Sequence, residues 1–229
     1  MAKSTESIDD YLKAILELAG DDDGRATSNA LAGRLGISAA SVTGMLKKLA
    51  ARRPPLIDYR KHHGARLTAE GQRRAMHVVR RHRLMELFLC EVLGFSWDEV
   101  HDEAERLEHV MSQKLEDRIA QKLGNPELDP HGQVIPRKDG TVAGVNAVPL
   151  DELAPGETGI ISSVFDREPK LLRDLSRRGL TPGRTVQVME QASVRGPITV
   201  RLSGAKGRRN LRLSRKLAQS ILVEPRLSA

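Results

Sequence analysis

The chain has a single cysteine, Cys90, and very few aromatics: three Phe, two Tyr and one Trp in 229 residues. One thiol excludes an internal disulfide framework and any cysteine-clustered zinc or iron–sulfur centre. With so few aromatics, the core has to be built from Leu, Val, Ile and Ala. No run of 18 apolar residues occurs, and the opening MAKSTESIDDY has no apolar h-region. Neither a membrane span nor a signal peptide is therefore expected, and the expectation is a soluble, cytoplasmic protein. The length suffices for two or three domains with substantial cores.

Charge is plentiful and segregated. Thirty-seven Lys/Arg against 30 Asp/Glu give a net charge of +7. From Lys47 to Arg83 there are twelve Lys/Arg and two acids, whereas from Glu86 to Asp117 there are ten acids and two Lys/Arg. Gln191–Val223 holds eight Lys/Arg and no acid. The basic stretch suits phosphates and the acidic one gathers carboxylates, although a pair of solvated charged helices would have the same charges.

Ser7 with Asp10 three residues on is a capping-box pattern, and Ile8, Leu12, Ile15, Leu16 and Ala19 follow at helical spacing, so a helix is expected from Ser7 to the polar run Gly20–Gly24. Further helices are expected at Ala26–Leu35 and Ala39–Ala51, then a hairpin of Leu56–Tyr59 and Ala65–Thr68 about Gly64. Two long helices follow, Ala69–Leu93 and Trp97–Leu123. From Asn125 the chain is rich in Pro and Gly and reads as a linker. Short strands at Thr158–Val164, Thr185–Glu190, Thr199–Leu202 and Leu211–Leu213, with a helix at Lys170–Arg178, read as a small β-barrel-like module.

LAGRLGISAASVTGMLKKLA (31–50) has the build of a helix-turn-helix, with Gly36 between two short helices. Ile37 and Val42 are expected in the core with Leu31, Leu35, Leu46 and Leu49. Ser38, Ala39, Ala40, Ser41, Thr43 and Gly44 then form a small, hydroxyl-bearing helix start that can enter a major groove closely. Thr27 offers a further hydroxyl, and Lys47, Lys48, Arg60, Lys61 and Arg66 suit backbone phosphates. The hairpin makes this a winged variant; the plainer alternative is any three-helix core with a glycine turn.

In VHDEAERLEHVMS (100–112), His101, Glu105, Glu108 and His109 fall within an arc of about 100° on a continuous helix. His82 and Glu86 share a face of the preceding helix, and Asp10 can join from the first. Such a stripe wastes burial unless a cation sits among its members. Oxygen and imidazole donors without thiolate favour Mn²⁺, Fe²⁺, Co²⁺ or Zn²⁺ over Cu(I).

These strings, together with DDYLKAILEL, VRRHRLMELFL and LGNPELDPHGQVIP, resemble the diphtheria toxin repressor family of metal-dependent transcriptional repressors. The resemblance implies a mainly α protein with a small β module: a winged helix-turn-helix (1–72), a helical dimerisation and metal-binding domain (73–140), a linker (141–154) and an SH3-like, FeoA-like domain (155–229). It implies that Asp10, Glu105, Glu108 and His109 form the primary metal site. His82, Glu86 and His101, with Glu168 from the third domain, form an ancillary one. Asp10 and Glu105 stand where the iron-type branch has Met and Cys, which places the chain beside the manganese transport regulators. A second amino-terminal carboxylate of some of those regulators falls at Lys13, which argues against their close binuclear arrangement, while the retained Glu86 and His101 favour two separated sites. The implied function is repression of metal-uptake genes by a dimer on a palindromic DNA operator. Mn²⁺ is the expected cofactor, Fe²⁺ the alternative, and Co²⁺, Ni²⁺, Zn²⁺ or Cd²⁺ possible substitutes. No catalysis, membrane partner or nucleotide cofactor is expected. The rival readings are a metal-independent winged-helix regulator and a metallohydrolase.

Overall fold

The computed structural model describes residues 2–19, 24–165, 169–192, 196–204 and 207–226. The chain forms two compact units: one comprises Met1–His82, Glu105–Ile119 and Ile135–Val142, the other Arg83–Ala104, Ala120–Val134 and Ala143–Ala229.

The first unit opens with helix α1 (Ala2–Leu18), followed by α2 (Ser28–Leu35), α3 (Ala39–Ala50) and the hairpin β1 (Ile57–Arg60) and β2 (Gly64–Leu67). Helix α1 begins at Ala2 rather than Ser7, because AKSTES contains no Gly or Pro to stop it. Its Tyr11, Leu12 and Ile15 join Leu31, Val42, Leu46, Leu49, Ile57 and Ala65 in one largely aliphatic core. Helix α2 starts later than expected. Thr27 caps it by accepting from Ala30 N, while Ala26 is tied to Ala65 by reciprocal backbone bonds of 2.8 and 2.9 Å. Gly64, at φ +89°, permits this approach, since a Cβ there would stand 2.3 Å from Ala26 O. Ser38 caps α3 as expected.

One core assignment fails. Val42 is fully buried, but Ile37 is 41% exposed. Gly36 ends α2 in the left-handed conformation, and Ile37 N–H donates to Ala32 O at 3.1 Å. That closure leaves the Ile37 side chain outside, beside Ser38.

Arg25 braces the hairpin. Its Nη2 donates to Asp58 Oδ2 at 2.5 Å and its Nη1 to the carbonyls of Asp58 and Gly64, and Arg66 Nε reaches the same carboxylate at 3.1 Å. The Arg25 bond, then the charges of Arg25, Arg60 and Arg66, hold the Asp58 carboxyl below its ordinary value.

Helix α4 (Ala69–Glu91) is as long as its pattern implies, but Trp97–Leu123 is two helices, α5 (Val100–Leu107) and α6 (Gln113–Lys122). Ser112 accepts from Leu115 N at 3.2 Å and so caps α6, interrupting what composition alone reads as continuous. Within the first unit, α6 is locked to α4 by the buried Glu116 carboxylate, which accepts from Arg80 Nε at 2.8 Å and Arg81 Nε at 3.1 Å.

The second unit holds a six-stranded antiparallel sheet. Its strands are β3 (Val148–Pro149), β4 (Thr158–Val164), β5 (Thr185–Gln191), β6 (Ile198–Gly204), β7 (Gly207–Leu213) and β8 (Ile221–Arg226), in the order β3-β8-β4-β5-β6-β7. Bulges at Ile161/Ser163 and Val188/Glu190 bend it. Helices α7 (Pro169–Arg178) and α8 (Arg215–Gln219) accompany the sheet, and Leu172, Leu175 and Leu217 join Leu150, Ile161, Val186, Val200 and Val223 in its core. Strand β8 has little signal in the sequence: only Ile221 and Val223 alternate inward, and Pro225 argues against a strand.

The stretch read as a linker from Asn125 is, in part, packed structure. Asp129 and His131 are buried, and Asp129 Oδ1 accepts from His131 N at 2.8 Å and Gln133 N at 2.9 Å. Pro and Gly exclude a helix here, but the Asx turn replaces it with an ordered loop. This loop docks on β4. Val164 N–H donates to His131 O at 3.0 Å, and the lone tryptophan, Trp97, lies with its ring centroid 5.3 Å from that of His131. Gly132 sits at φ +80°, where a Cβ would be 1.9 Å from Ser162 O. Residues 141–146 are exposed and irregular.

Two measurements check these interactions. Gly132→Ala is expected to cost about 2–4 kcal/mol of stability in thermal unfolding, from a positive φ and a backbone clash together. Asp58→Asn is expected to destabilise the first unit at pH 7. A lowered folded-state pKa stabilises above the unfolded carboxylate value of about 3.9, and that contribution vanishes as pH falls through the folded value. The gap in melting temperature between wild type and variant should thus close with acidification below about pH 4.

Candidate metal centre and DNA-reading face

Four elements of the first unit deliver charged or imidazole side chains to one place. Asp10 and Lys13 stand a turn apart on α1, His82 on α4 and Glu105 on α5, while Glu108 and His109 occupy the turn after α5. The helix break is decisive. On a continuous helix Glu108 and His109 would share a stripe with His101, whereas the turn frees His109 to bring Nε2 to 3.0 Å from Asp10 Oδ1 and 3.6 Å from Glu108 Oε1.

Asp10, Glu108 and His109 each offer a ligand atom within 4.8 Å of the others, and so do His82, Glu105 and Glu108, so Glu108 belongs to both groups. Glu108 is only 1% exposed, and His82 lies against it. Lys13, 3% exposed, sits among the second group. Its Nζ donates to Glu108 Oε1 at 3.0 Å and Oε2 at 3.1 Å and to Glu105 Oε2 at 3.3 Å, and lies 3.1 Å from His82 Nδ1. Glu105 and Glu108 are therefore not left to repel one another, as sequence alone suggests, and Asp10 is paired with His109. Lys13 is the member of the cluster that residue type leaves out, because an ammonium is no metal ligand. Its signal is its place, three residues after Asp10 on one helix face.

The Asp10 hydrogen bond, followed by the negative charges of Glu108, Asp10 and Asp9, raises the His109 pKa against the effect of burial. Its Nδ1 is buried with no hydrogen-bond partner among the described residues. Asp10, Lys13, Glu105 and His109 face a cleft of about 350 Å³ that Arg34, Leu35 and Arg106 complete. Two carboxylates and an imidazole converging at this range, at the edge of an accessible cleft, are a fit donor set for a hard divalent cation.

In the second unit, His101 Nδ1 lies 3.1 Å from Glu86 Oε1, and Glu86 is buried one turn after His82 on α4. Burial, then the nearby Glu86 charge, raises the Asp129 pKa, with Arg83 opposing. Glu168 lies outside the described residues.

The helix-turn-helix presents the expected surface. Ser38, Ala39, Ala40, Ser41, Gly44, Lys47 and Lys48 are exposed, as are Arg60 and Lys61 on the wing. Thr43 is half-buried and returns its hydroxyl to Ala39 O at 2.9 Å. The hydroxyls of Thr27 and Ser38 serve as helix caps. Ile37 adds an apolar group to this face that its residue type assigns to the core.

Comparison with known proteins agrees with this arrangement. Residues 3–65 match the iron dependent repressor N-terminal DNA binding domain, 68–137 the iron dependent repressor metal binding and dimerisation domain, and 148–225 the FeoA domain. The iron-dependent repressor IdeR of Mycobacterium leprae is 30% identical over 227 residues, covering 93% of this chain and 95% of the relative. The chain belongs to the iron-dependent repressor family, that of the diphtheria toxin repressor. Among solved structures, a manganese-dependent transcriptional repressor in complex with manganese superposes with a TM-score of 0.88 at 38% identity, covering 95% of this chain and 99% of that one. ScaR with bound Zn²⁺ superposes at 0.80 and 32% identity, covering 95% and 98%. The repressor thus carries, in chain order, a DNA-binding domain, a metal-binding and dimerisation domain and an SH3-like FeoA domain. The relatives that cover most of the chain are transcriptional repressors, and the family is one of repressors rather than enzymes, which sets aside the hydrolase reading. Among the described residues no helix is long and apolar enough to cross a membrane.

Lys47 and Lys48 follow the small-residue start of α3, at the end of the helix where phosphates would flank the groove. Lys47→Ala with Lys48→Ala is expected to weaken binding to all duplex sequences alike. The slope of log affinity against log salt should become shallower by about 0.9 for each phosphate no longer neutralised, read by fluorescence anisotropy over a salt series.

Proposed function

We propose that this repressor is a cytoplasmic, Mn²⁺-responsive regulator that binds a palindromic operator as a homodimer and shuts down metal-uptake genes when the ion is abundant, without a nucleotide cofactor. Within this reading the winged helix-turn-helix spans 1–72 and the helical domain 73–140; the stretch 141–154, expected as a linker, is one only up to about residue 147, since Val148–Pro149 pair with β8 and Leu150 and Leu153 are buried in the sheet's core, so the SH3-like module starts ahead of 155. The observation that carries it is the convergence of Asp10, from the helix that builds the DNA-reading core, with Glu108 and His109 from the turn after α5.

Oxygen and imidazole donors with no thioether or thiolate among them favour Mn²⁺, with Fe²⁺ second. When bound, the ion supplies positive charge and directional bonds to those donors. Asp10, Glu108 and His109 would hold it, with Glu105 beside them. His82, Glu86 and His101 would hold a second ion, with Glu168 as a further donor. Tyr11, Leu12 and Ile15 of α1 are buried against Leu31 and Leu46 of the reading helices, so fixing Asp10 fixes the segment on which those helices rest. In a symmetric dimer the two recognition helices must stand about 34 Å apart to read successive major grooves. A tethered α1 raises the population with that spacing. Ser38, Ser41 and Thr43 would meet base edges or phosphates. Ile37 would meet a thymine methyl, and Thr27, Ala39, Ala40, Lys47, Lys48, Arg60 and Lys61 would frame them.

Operator affinity measured with Mn²⁺ and with chelator tests the reading. At least a tenfold tightening by Mn²⁺ is expected, about 1.4 kcal/mol, and equal affinity in the two conditions overturns it. Asp10→Asn with His109→Ala should abolish the response while leaving the circular dichroism spectrum unchanged.

A further inference from the structure

The SH3-like module has a basic surface that the function proposed above leaves unused. Gln191–Val223 carries eight Lys/Arg and no acid. Arg195 and Lys206 lie outside the described residues. Lys216 is on α8, Arg215 turns to Asp151 and Gln191, and Arg209 donates to Arg178 O. The strand register gathers the other three. Ser203 stands opposite Arg208, Arg201 opposite Asn210 and Thr199 opposite Arg212, and directly opposed residues share a face of the sheet. The alternating residues Ile198, Val200, Leu202 and Leu213 are buried in the core. The outer face of β6 and β7 is therefore Thr199, Arg201, Ser203, Arg208, Asn210 and Arg212. Arg208, Asn210 and Arg212 are exposed, and Arg201 Nε donates to Asn210 Oδ1 at 3.3 Å. Strand β7 ends the sheet, so this face borders solvent along its length. The nearest acid in register is Glu190 of β5, on the far side of Thr199.

We propose that this face is a second DNA-binding surface of the repressor, one that takes the phosphates of duplex DNA without regard to sequence. Charge complementarity and residue type carry it. All three cations are arginines, whose planar forks suit phosphate oxygens. Arg208 and Arg212, four residues apart on one strand, stand about 13 Å from each other. A duplex advances about 3.4 Å per nucleotide along each strand, so such a pair spans several phosphates. Thr199, Ser203 and Asn210 add hydroxyl and amide donors between them. The last turn of α7 extends the surface: Arg178 Nη1 donates to Arg212 O at 3.5 Å, and the neighbouring Arg177 side chain is 77% exposed. The face has no aromatic residue on which unpaired bases could stack, which favours duplex over single-stranded nucleic acid. Nor does it offer the apolar anchor around which protein interfaces are built, which favours DNA over an acidic protein. This surface needs no ion, so it stands apart from the metal-dependent reading.

The test measures binding of the full-length chain to a long random-sequence duplex by fluorescence anisotropy over a salt series, in Mn²⁺ and in chelator. The variants are Arg201→Gln, Arg208→Gln and Arg212→Gln combined, and the same three positions changed to Lys. The Gln variant should bind about tenfold more weakly or worse at low salt, with a slope of log affinity against log salt shallower by about 2–3, or about 0.9 for each phosphate released. The Lys variant, which keeps the charge, should retain the wild-type slope. An unchanged slope in the Gln variant overturns the proposal, and so does a Lys variant that loses as much slope as the Gln one. Lost binding of polyglutamate with an unchanged DNA slope marks the face as a protein-docking surface and overturns it too. Arg208→Gln with Arg212→Gln, both at exposed positions, serves if the triple Gln variant does not fold, with an expected loss of slope of about 2. The loss should be the same in Mn²⁺ and in chelator. A loss confined to Mn²⁺ overturns the proposal, because the face would then act only through the metal-bound state.

Discussion

Glu108 sets the terms for the first unit. A carboxylate removed from water is tolerated only beside compensating charge and hydrogen bonds, and deleting one partner of such a buried pair typically costs about 3–5 kcal/mol. Lys13 covers both of its oxygens, and His82 lies against one of them. These partners come from α1 and α4, so the requirement of one side chain in a turn fastens two distant stretches of sequence. The same requirement explains why α1, whose other face is buried among Leu31, Val42 and Leu46, has polar residues at positions 10 and 13.

Much of this was legible in the sequence because it is local. The Gly36 turn, the Ser38 cap and the run of small residues that follows are defined by nearest neighbours, and they lie where spacing puts them. Two readings fail for a reason visible only in three dimensions. Ile37 is apolar and sits at a helix start, which argues for burial, but the backbone bond to Ala32 that closes the turn sends it outward. The continuous helix expected from Trp97 to Leu123 has no glycine or proline to break it; Ser112 breaks it by capping α6, and the carboxylate–imidazole turn at 108–109 follows from that.

The candidate metal site shows where residue types stop being informative. Asp10, Glu105, Glu108 and His109 are conspicuous as ligands, and their grouping is close to what the pattern implies. Yet helical spacing puts His101 on one stripe with them, whereas His101 turns to Glu86. Lys13 does not register as a ligand, although it bonds to both oxygens of Glu108 and reaches Glu105 and His82 as well. The Pro- and Gly-rich stretch after Asn125 makes a similar point in the second unit. Its composition forbids a helix without requiring looseness, because the Asp129 side chain organises the backbone of His131 and Gln133.

Trp97 has a practical consequence. It is the chain's lone tryptophan, it lies beside His131 in the second unit, and both tyrosines, Tyr11 and Tyr59, belong to the first. Indole emission therefore reports on the FeoA-bearing half, and phenol absorbance on the DNA-reading half. The chain thus carries two separate optical gauges, with no label added, for telling which half of the molecule responds when conditions change.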